Sequence, residues 1–415
     1  MREASTQTDR VILHCDCNSF FASVETALNP AYRGVPMAVC GSESDRHGIV
    51  LAKNELAKAY GVRTADTVRS AKRLCPGLVI ASPHYDEYVK FSLRVSQIYA
   101  EYTDMIEPFG IDESWLDVTA SVRAFGSGEA IAECIRRRVR DEIGITVSIG
   151  VSFNKVFAKL GSDYKKPDAI TVISRANYKS IVNGLPVSDM LYVGDRTVGQ
   201  LASFGVRTIG ELASLPKQFL INKLGKYGEM LSDYARGEDD SPVVPPSDGS
   251  KSVGNGYTFR QDLVKECDMQ SGVDFLAEEI AMRLRKASAV CSTVSVSIKD
   301  PYMQVIQRQR PLCAPTDICK EISECAMSII RDSWEVGKPV RSITVTALNL
   351  AKKRDSGSQV HIFNSRSSSG GQDRGRARSG EVAVDAIRQK WGAGSIVRGA
   401  NIDNDIGIYD PKSTK

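Results

Sequence analysis

Nowhere in this chain do eighteen apolar residues run together, so no segment reads as a membrane-spanning helix. The start, MREASTQTDR, has no apolar stretch of signal-peptide length either. The ten cysteines (15, 17, 40, 75, 134, 267, 291, 313, 319, 325) include no C-x-x-C pair, and with the four histidines they complete none of the usual zinc spacings. They read as small buried hydrophobes of a soluble, cytoplasmic protein in a reducing compartment. A strong charge of either sign is also missing: 54 Lys and Arg against 50 Asp and Glu leave +4, so local distribution must decide whether a polyanion is a partner. What remains is ordinary globular material, 415 residues with 42% hydrophobic and 25% charged. At roughly 100–200 residues per domain, about two to four domains are expected.

Strands and helices alternate over the first 175 residues. Residues 11–17 read as a short buried strand running into a helix at 19–28, where Phe20, Phe21, Val24, Ala27 and Leu28 recur at helical spacing. Residues 34–40 and 47–52 read as strands, and 55–60 and 67–74 as short helices closed by Gly61 and Pro76-Gly77. A long amphipathic helix at 86–102 precedes two β-like pieces joined at Pro108-Phe109-Gly110, then a helix at 129–143 and a strand at 146–152. Residues 177–236 form short helical segments, and SPVVPPSDGSKS (241–252) reads as an interdomain linker. Beyond it the order is βαββαβ, and residues 251–354 hold sixteen basic against twelve acidic side chains, so the positive excess gathers there. Residues 355–380, rich in Ser, Gly and Arg, read as disordered, with a short helix at 382–391.

Three carboxylates stand where charge is costly. Asp16 ends a buried strand, and Asp112-Glu113 sits inside Phe109-Gly110-Ile111-Asp112-Glu113-Ser114-Trp115. Such groups need pairing, hydrogen bonds or a metal. Taken singly, each is an ordinary cap, turn or salt-bridge residue; taken together, HCDCNSFFASVE (14–25) and FGIDESWLDV (109–118) resemble the two palm motifs of the Y-family DNA polymerases, in the style of their DinB-like and UmuC-like members. The likeness continues through VSIGVSFNKVFAKLGSDYKKPDAI (147–170) and VGDRTVGQLASFGVRTIGEL (193–212), and it covers about residues 8 to 350.

That resemblance implies an α/β (α+β) right-hand polymerase. Its palm would span 1–30 and 80–175, its fingers 31–79, a helix-hairpin-helix thumb 176–240, a linker 241–252, a βαββαβ little finger 253–350 and a flexible tail 351–415. It implies that Asp16 and Asp112 ligate two Mg²⁺ ions, that Glu113 completes the catalytic one, and that the backbone carbonyl of Cys17 binds the nucleotide metal. Phe21 matches the steric gate that rejects a 2′-hydroxyl, with Phe20 beside it, and Lys58 and Lys166 match phosphate-binding positions. Asn54-Glu55-Leu56-Ala57-Lys58 departs from the Tyr and Arg common in DinB-like members, which leans toward the UmuC-like side. In the thumb, Gly194 and Arg196 fall on the hairpin that binds a DNA phosphate, Arg196 standing where a second glycine is usual. Lys251, Arg260, Lys299, Arg308 and Arg310 are expected to grip DNA phosphates from the little finger. Gln359-Val360-His361-Ile362-Phe363 is similar to bacterial sliding-clamp peptides, with Gln359, Ile362 and Phe363 as contacts.

The expected activity is template-directed, low-fidelity DNA synthesis without proofreading in damage tolerance, by a monomer acting on primer-template DNA and dNTPs. Two other readings stand beside it: an inactive DNA- or clamp-binding accessory protein, against which the intact carboxylates and Phe21 argue, and a two-metal nuclease, which shares the carboxylate chemistry.

Overall fold

The structure is a computed structural model that describes residues 9–41, 48–246, 249–335, 337–353, 368–397, 399 and 406–408. The described chain divides into two compact units, one ending near residue 246 and one beginning at 249.

In the first unit, β1 (Ile12–Cys17) leads directly into α1 (Phe20–Leu28). Ser19, with φ of 46° in the left-handed region, makes that abrupt turn. A small sheet follows, built from β2 (Met37–Cys40), β3 (Val50–Lys53) and, after the short helices α2 (Glu55–Ala59) and α3 (Val68–Leu74), β4 (Val79–Ala81), in the order β3-β2-β4. Next come α4 (Tyr85–Ala100), β5 (Ile106–Pro108), β6 (Glu113–Asp117), α5 (Val122–Phe125) and α6 (Gly128–Arg138), which continues through a π-helical turn to Ile143. β7 (Val147–Ser152), α7 (Lys155–Tyr164) and β8 (Ile170–Ile173) complete a five-stranded sheet ordered β5-β6-β1-β7-β8.

β1 lies at the centre of that sheet and all six of its residues are buried, because both faces are covered. Leu13, Cys15 and Cys17 point into a core shared with α1, α4 and α6. The other face receives α7, and the approach depends on glycine: a Cβ on Gly150 would lie 1.9 Å from the carbonyl oxygen of Ala158, and one on Gly161 would lie 3.0 Å from Cα of Gly150. Five helices then form a bundle: α8 (Tyr178–Val182), α9 (Asp195–Ser203), α10 (Ile209–Ser214), α11 (Lys217–Leu224) and α12 (Lys226–Arg236). Their core is continuous with Phe153, just before α7, and with Phe157 and Leu160 on that helix.

The expected linker is in part fixed structure. Val243 is 1% exposed and packs with Ile12, Trp115 and Ala158. Arg10 donates to the carbonyls of Asp239 (2.9 Å) and Ser241 (2.8 Å), and the Val244 N–H reaches Glu107 at 2.8 Å. One apolar side chain and a few backbone bonds suffice to pin a strap that has no periodicity of its own.

The second unit follows the expected βαββαβ order: β9 (Ser252–Leu263), α13 (Glu266–Lys286), β10 (Ala289–Lys299), β11 (Val305–Thr316), α14 (Cys319–Ser333) and β12 (Val340–Lys352). The sheet is antiparallel, ordered β11-β10-β12-β9. Val294, Val296 and Ile298 of β10 align with Ala347, Val345 and Ile343 of β12 and pack against α13 and α14. The alternate residues, Ser295, Ser297 and Lys299 opposite Thr346, Thr344 and Ser342, make the other face, which is rich in small hydroxyl side chains.

The expected flexible tail is corrected in part. α15 (Ser368–Trp391) is a helix more than twice as long as the one predicted. Its composition cannot fill an apolar core, and it docks by charge instead. Glu381 and Asp385 both pair with Arg285, Arg374 with Glu321, Arg378 with Asp317, and Arg388 with Glu278 at 3.3 Å. Glu381 also accepts the Cys319 N–H at the first turn of α14, where a carboxylate complements the helix dipole.

Candidate active site

β1 and β6 are antiparallel, and the register sets Asp16 opposite Glu113 and His14 opposite Trp115. Side chains two apart on a strand share a face, as do directly opposed residues, so His14, Asp16, Glu113 and Trp115 all face α7. Asp112 immediately precedes β6, and its carbonyl accepts the N–H of Cys17 at 3.0 Å, which ties the two motif strands together at the site. Three carboxylates from distant parts of the sequence thereby converge.

Two lysines answer them. Lys159, on the face of α7 that the glycine contact presses onto the sheet, lies 3.0 Å from Asp16, 2.8 Å from Glu113 and 3.4 Å from Asp163. Lys166 lies 2.6 Å from Asp16 and 2.7 Å from Asp163. Burial opposes the charge on both ammonium groups, but the surrounding carboxylates prevail and raise both above the ordinary lysine range. Burial, then the charges of Asp16 and Glu113, pushes Asp112 up to about 6. Glu113 goes the other way: burial opposes its charge, yet His14 and Lys159 hold it well below the usual carboxylate range. His14 is wholly buried, and burial lowers its pKa, leaving a neutral ring between Ser162 (2.8 Å) and Glu113 (3.3 Å).

Asp16, Glu113 and His14 each bring a ligand atom within 4.8 Å of the others. Carboxylate oxygens from Asp16, Asp112 and Glu113 suit a hard divalent cation, and the two ammonium groups among them show how much positive charge the cluster requires. The donor set therefore fits a metal of the kind the motifs imply.

The remaining expected residues divide. Phe21 is half-buried on α1, its ring stacked on Tyr88 with centroids 4.1 Å apart. Phe20 is a correction: at 3% exposure it belongs to the core with Val24 and Tyr88 and has no surface for a nucleotide, because successive helical residues diverge by about 100°. Lys58 is well exposed on α2 and pairs with Glu55 at 3.3 Å. Gly194 caps the start of α9, with Arg196 exposed in the first turn. Lys251 and Arg260 are exposed, and Lys299 lies on the hydroxyl-rich sheet face. Arg308 and Arg310 align opposite Val296 and Val294, on the side of the sheet that carries the helices; Arg308 is exposed there, and Arg310 pairs with Asp332 and Ser328 of α14. Gln359, Ile362 and Phe363 lie outside the described residues.

Sequence reasoning missed His14, Lys159, Asp163 and Asn18. His14 is two residues before Asp16 and shares its strand face; Lys159 and Asp163 are one helical turn apart. Those spacings are visible signals. Asn18 is 6% exposed, donates to Ser148 (2.8 Å) and accepts from Thr146 (3.0 Å) and the Asp168 N–H (2.9 Å), so it fastens the loop that carries Lys166.

Comparison with known proteins agrees with this geometry. Residues 15–163 match the impB/mucB/samB family and residues 250–362 match that family's C-terminal domain. The chain is 46% identical to the DNA polymerase IV of Acetivibrio thermocellus over 94% of this chain and 97% of that protein. It is 38% identical to the DNA polymerase IV of Moorella thermoacetica, covering 83% and 86% of the two chains. A solved Y-family DNA polymerase chimera shares the fold at a TM-score of 0.73 and 23% identity, covering 82% of this chain and 98% of its own. The lean toward UmuC-like members drawn from Glu55 and Lys58 is overturned, because substitutions at two exposed finger positions weigh little against identity along the whole chain. The convergence at the end of β1 and the likeness over nearly the full length lead to one conclusion: the chain belongs to the Y-family DNA polymerases, in their DinB-like branch, and is a divalent-metal-dependent, DNA-directed DNA polymerase of translesion synthesis and DNA repair.

Proposed function

We propose that Asp16, Asp112 and Glu113 form the catalytic centre and hold two Mg²⁺ ions, with the Cys17 carbonyl as a further ligand. The observation that carries this assignment is the register of Asp16 against Glu113, with Asp112 adjoining and two lysines supplying positive charge. When bound, such a metal pair activates the primer 3′-hydroxyl and stabilises the departing pyrophosphate. Lys166, now on Asp16, is placed to receive a triphosphate oxygen, and Lys58 to assist from the fingers. His14 Nε2 stands 3.3 Å from Glu113 and lines the same centre. Phe21 excludes the 2′-hydroxyl, with its ring facing outward from the Tyr88 stack.

In this reading the five-stranded sheet is the palm (1–30 and 80–175), residues 31–79 the fingers, 176–240 the thumb and 253–350 the little finger. Gly194 and Arg196 take a DNA phosphate at the start of α9. Lys251, Arg260 and Lys299 hold the duplex, and the peptide containing Gln359, Ile362 and Phe363 docks a sliding clamp. The enzyme works as a cytoplasmic monomer; among the described residues no helix is long and apolar enough to cross a membrane.

Primer extension with Mg²⁺ tests the centre. Native protein extends with dNTPs, stops in excess EDTA, and loses activity by at least about a thousandfold in Asp112→Ala, since essential groups act as a unit. Phe21→Ala gains rNTP incorporation. Extension that survives Asp112→Ala would refute the assignment.

A further inference from the structure

Glu25 is a buried carboxylate that the proposed chemistry does not use. Its side chain is 3% exposed, a costly site for a charge unless hydrogen bonds replace the lost water. Three groups supply them: the Tyr88 hydroxyl at 2.5 Å, His84 Nδ1 at 2.9 Å and the His84 backbone N–H at 3.3 Å. The positions are telling. Phe21 and Glu25 are four residues apart on α1, while His84 and Tyr88 are four apart at the start of α4, so each pair occupies one face of its helix. The helices are therefore latched twice across one contact, by the Phe21 ring lying on the Tyr88 ring at 4.1 Å and 12° and by the Glu25 carboxylate on the Tyr88 hydroxyl.

We propose that Glu25 is a positioning residue for sugar discrimination, acting through Tyr88 to hold the Phe21 ring in place. The inference rests on the reading of Phe21 as the gate. A steric filter rejects a hydroxyl only to the extent that its wall resists displacement, because a ring that yields converts a clash into a small shift. Half-buried Phe21 meets Phe20 at 5.8 Å and Tyr85 edge-on at 6.0 Å, but its one stacked face lies on Tyr88, which is the wall behind the ring. Tyr88 is wholly buried, meets Tyr85 edge-on at 5.7 Å and Phe20 at 6.3 Å, and its remaining freedom, sliding along the plane it shares with Phe21, is removed by the bond from its hydroxyl to Glu25. That bond is one of three that converge on the buried Glu25 carboxylate, so the acceptor itself is fixed by His84.

The test is single-nucleotide insertion by the full chain, read as the ratio of kcat/KM for a ribonucleotide to that for its deoxynucleotide. Tyr88→Phe keeps the stacked ring and removes only the hydroxyl, and Glu25→Leu removes the acceptor. Each is expected to raise the ratio about tenfold, the rate equivalent of about 1.4 kcal/mol. Glu25→Gln, which still offers an oxygen to Tyr88, is expected to stay near the native ratio. A role in stability alone would lower Tm in Glu25→Leu without moving the ratio. If Phe21→Ala raises the ratio while Tyr88→Phe and Glu25→Leu leave it at the native value, the proposal is wrong and the gate reading stands. If Phe21→Ala itself leaves the ratio unchanged, the gate reading falls and takes this proposal with it.

Discussion

At the scale of single residues, the site rests on side chains that do not touch one another in sequence. Asn18 illustrates this, because its amide completes three side-chain hydrogen bonds that join β1 to β7 and to the Lys166 loop. Asn18→Ala would leave buried partners unsatisfied, and a loss of about 1–3 kcal/mol in chemical denaturation is expected. Because Asp168 would be released, KM for dNTP should rise more than kcat falls, which steady-state insertion kinetics would measure. Asp16, Asp112 and Glu113 were legible in the sequence, since charge inside an apolar run calls for an explanation. His14 was legible in principle through its period-two spacing from Asp16. Lys159 showed its one-turn spacing from Asp163 but not its carboxylate partners on the sheet, and Glu25 and Tyr88 showed nothing, because their meaning depends on how α1 crosses α4, which has no local signature.

At the scale of elements, the alternation of strands and helices and the βαββαβ order were readable because each piece shows its own period. α7 is the exception with consequences. Gly161 and Ser162 occupy the face toward the sheet where larger apolar residues would mark a helix, and Ser162, whose hydroxyl donates to the Lys159 carbonyl, meets His14 Nδ1 at 2.8 Å. α10 is the opposite case: Thr208 and Glu211 form a reciprocal cap, Glu211 accepting the N–H groups of Arg207 (2.7 Å) and Thr208 (2.9 Å). Those backbone donors lower the Glu211 pKa from its ordinary value. A depressed folded pKa contributes stability above the unfolded pKa of about 4.3, and that contribution is lost as pH falls through the folded value. Thermal unfolding should therefore separate Glu211→Ala from the native chain at pH 7, and the gap should close toward pH 3.

At the scale of the whole molecule, two stretches with loop-like composition prove to be attached structure, the strap around Val243 and the helix α15. The strap was not legible and only the 382–391 end of α15 was, because each is held by partners elsewhere in the chain. Arg285, with its side chain 6% exposed between Glu381 and Asp385, is the centre of the α15 attachment. Breaking such a pair from one side costs about 3 kcal/mol. Arg285→Ala should then speed amide exchange in α15 and at Cys319 by about a hundredfold, while β10 and β12 keep their protection. The hydroxyl-rich face of the second sheet has a consequence of its own. With Arg308 and Arg310 turned to the helices, three of the five expected cations remain to meet a duplex on that reading, and serine and threonine hydroxyls displace no condensed counterions. The slope of log K against log salt for this unit should accordingly be about −2.7 rather than −4.5. Its affinity for DNA would then fall more gradually with rising ionic strength than that of a lysine-studded sheet on the same duplex.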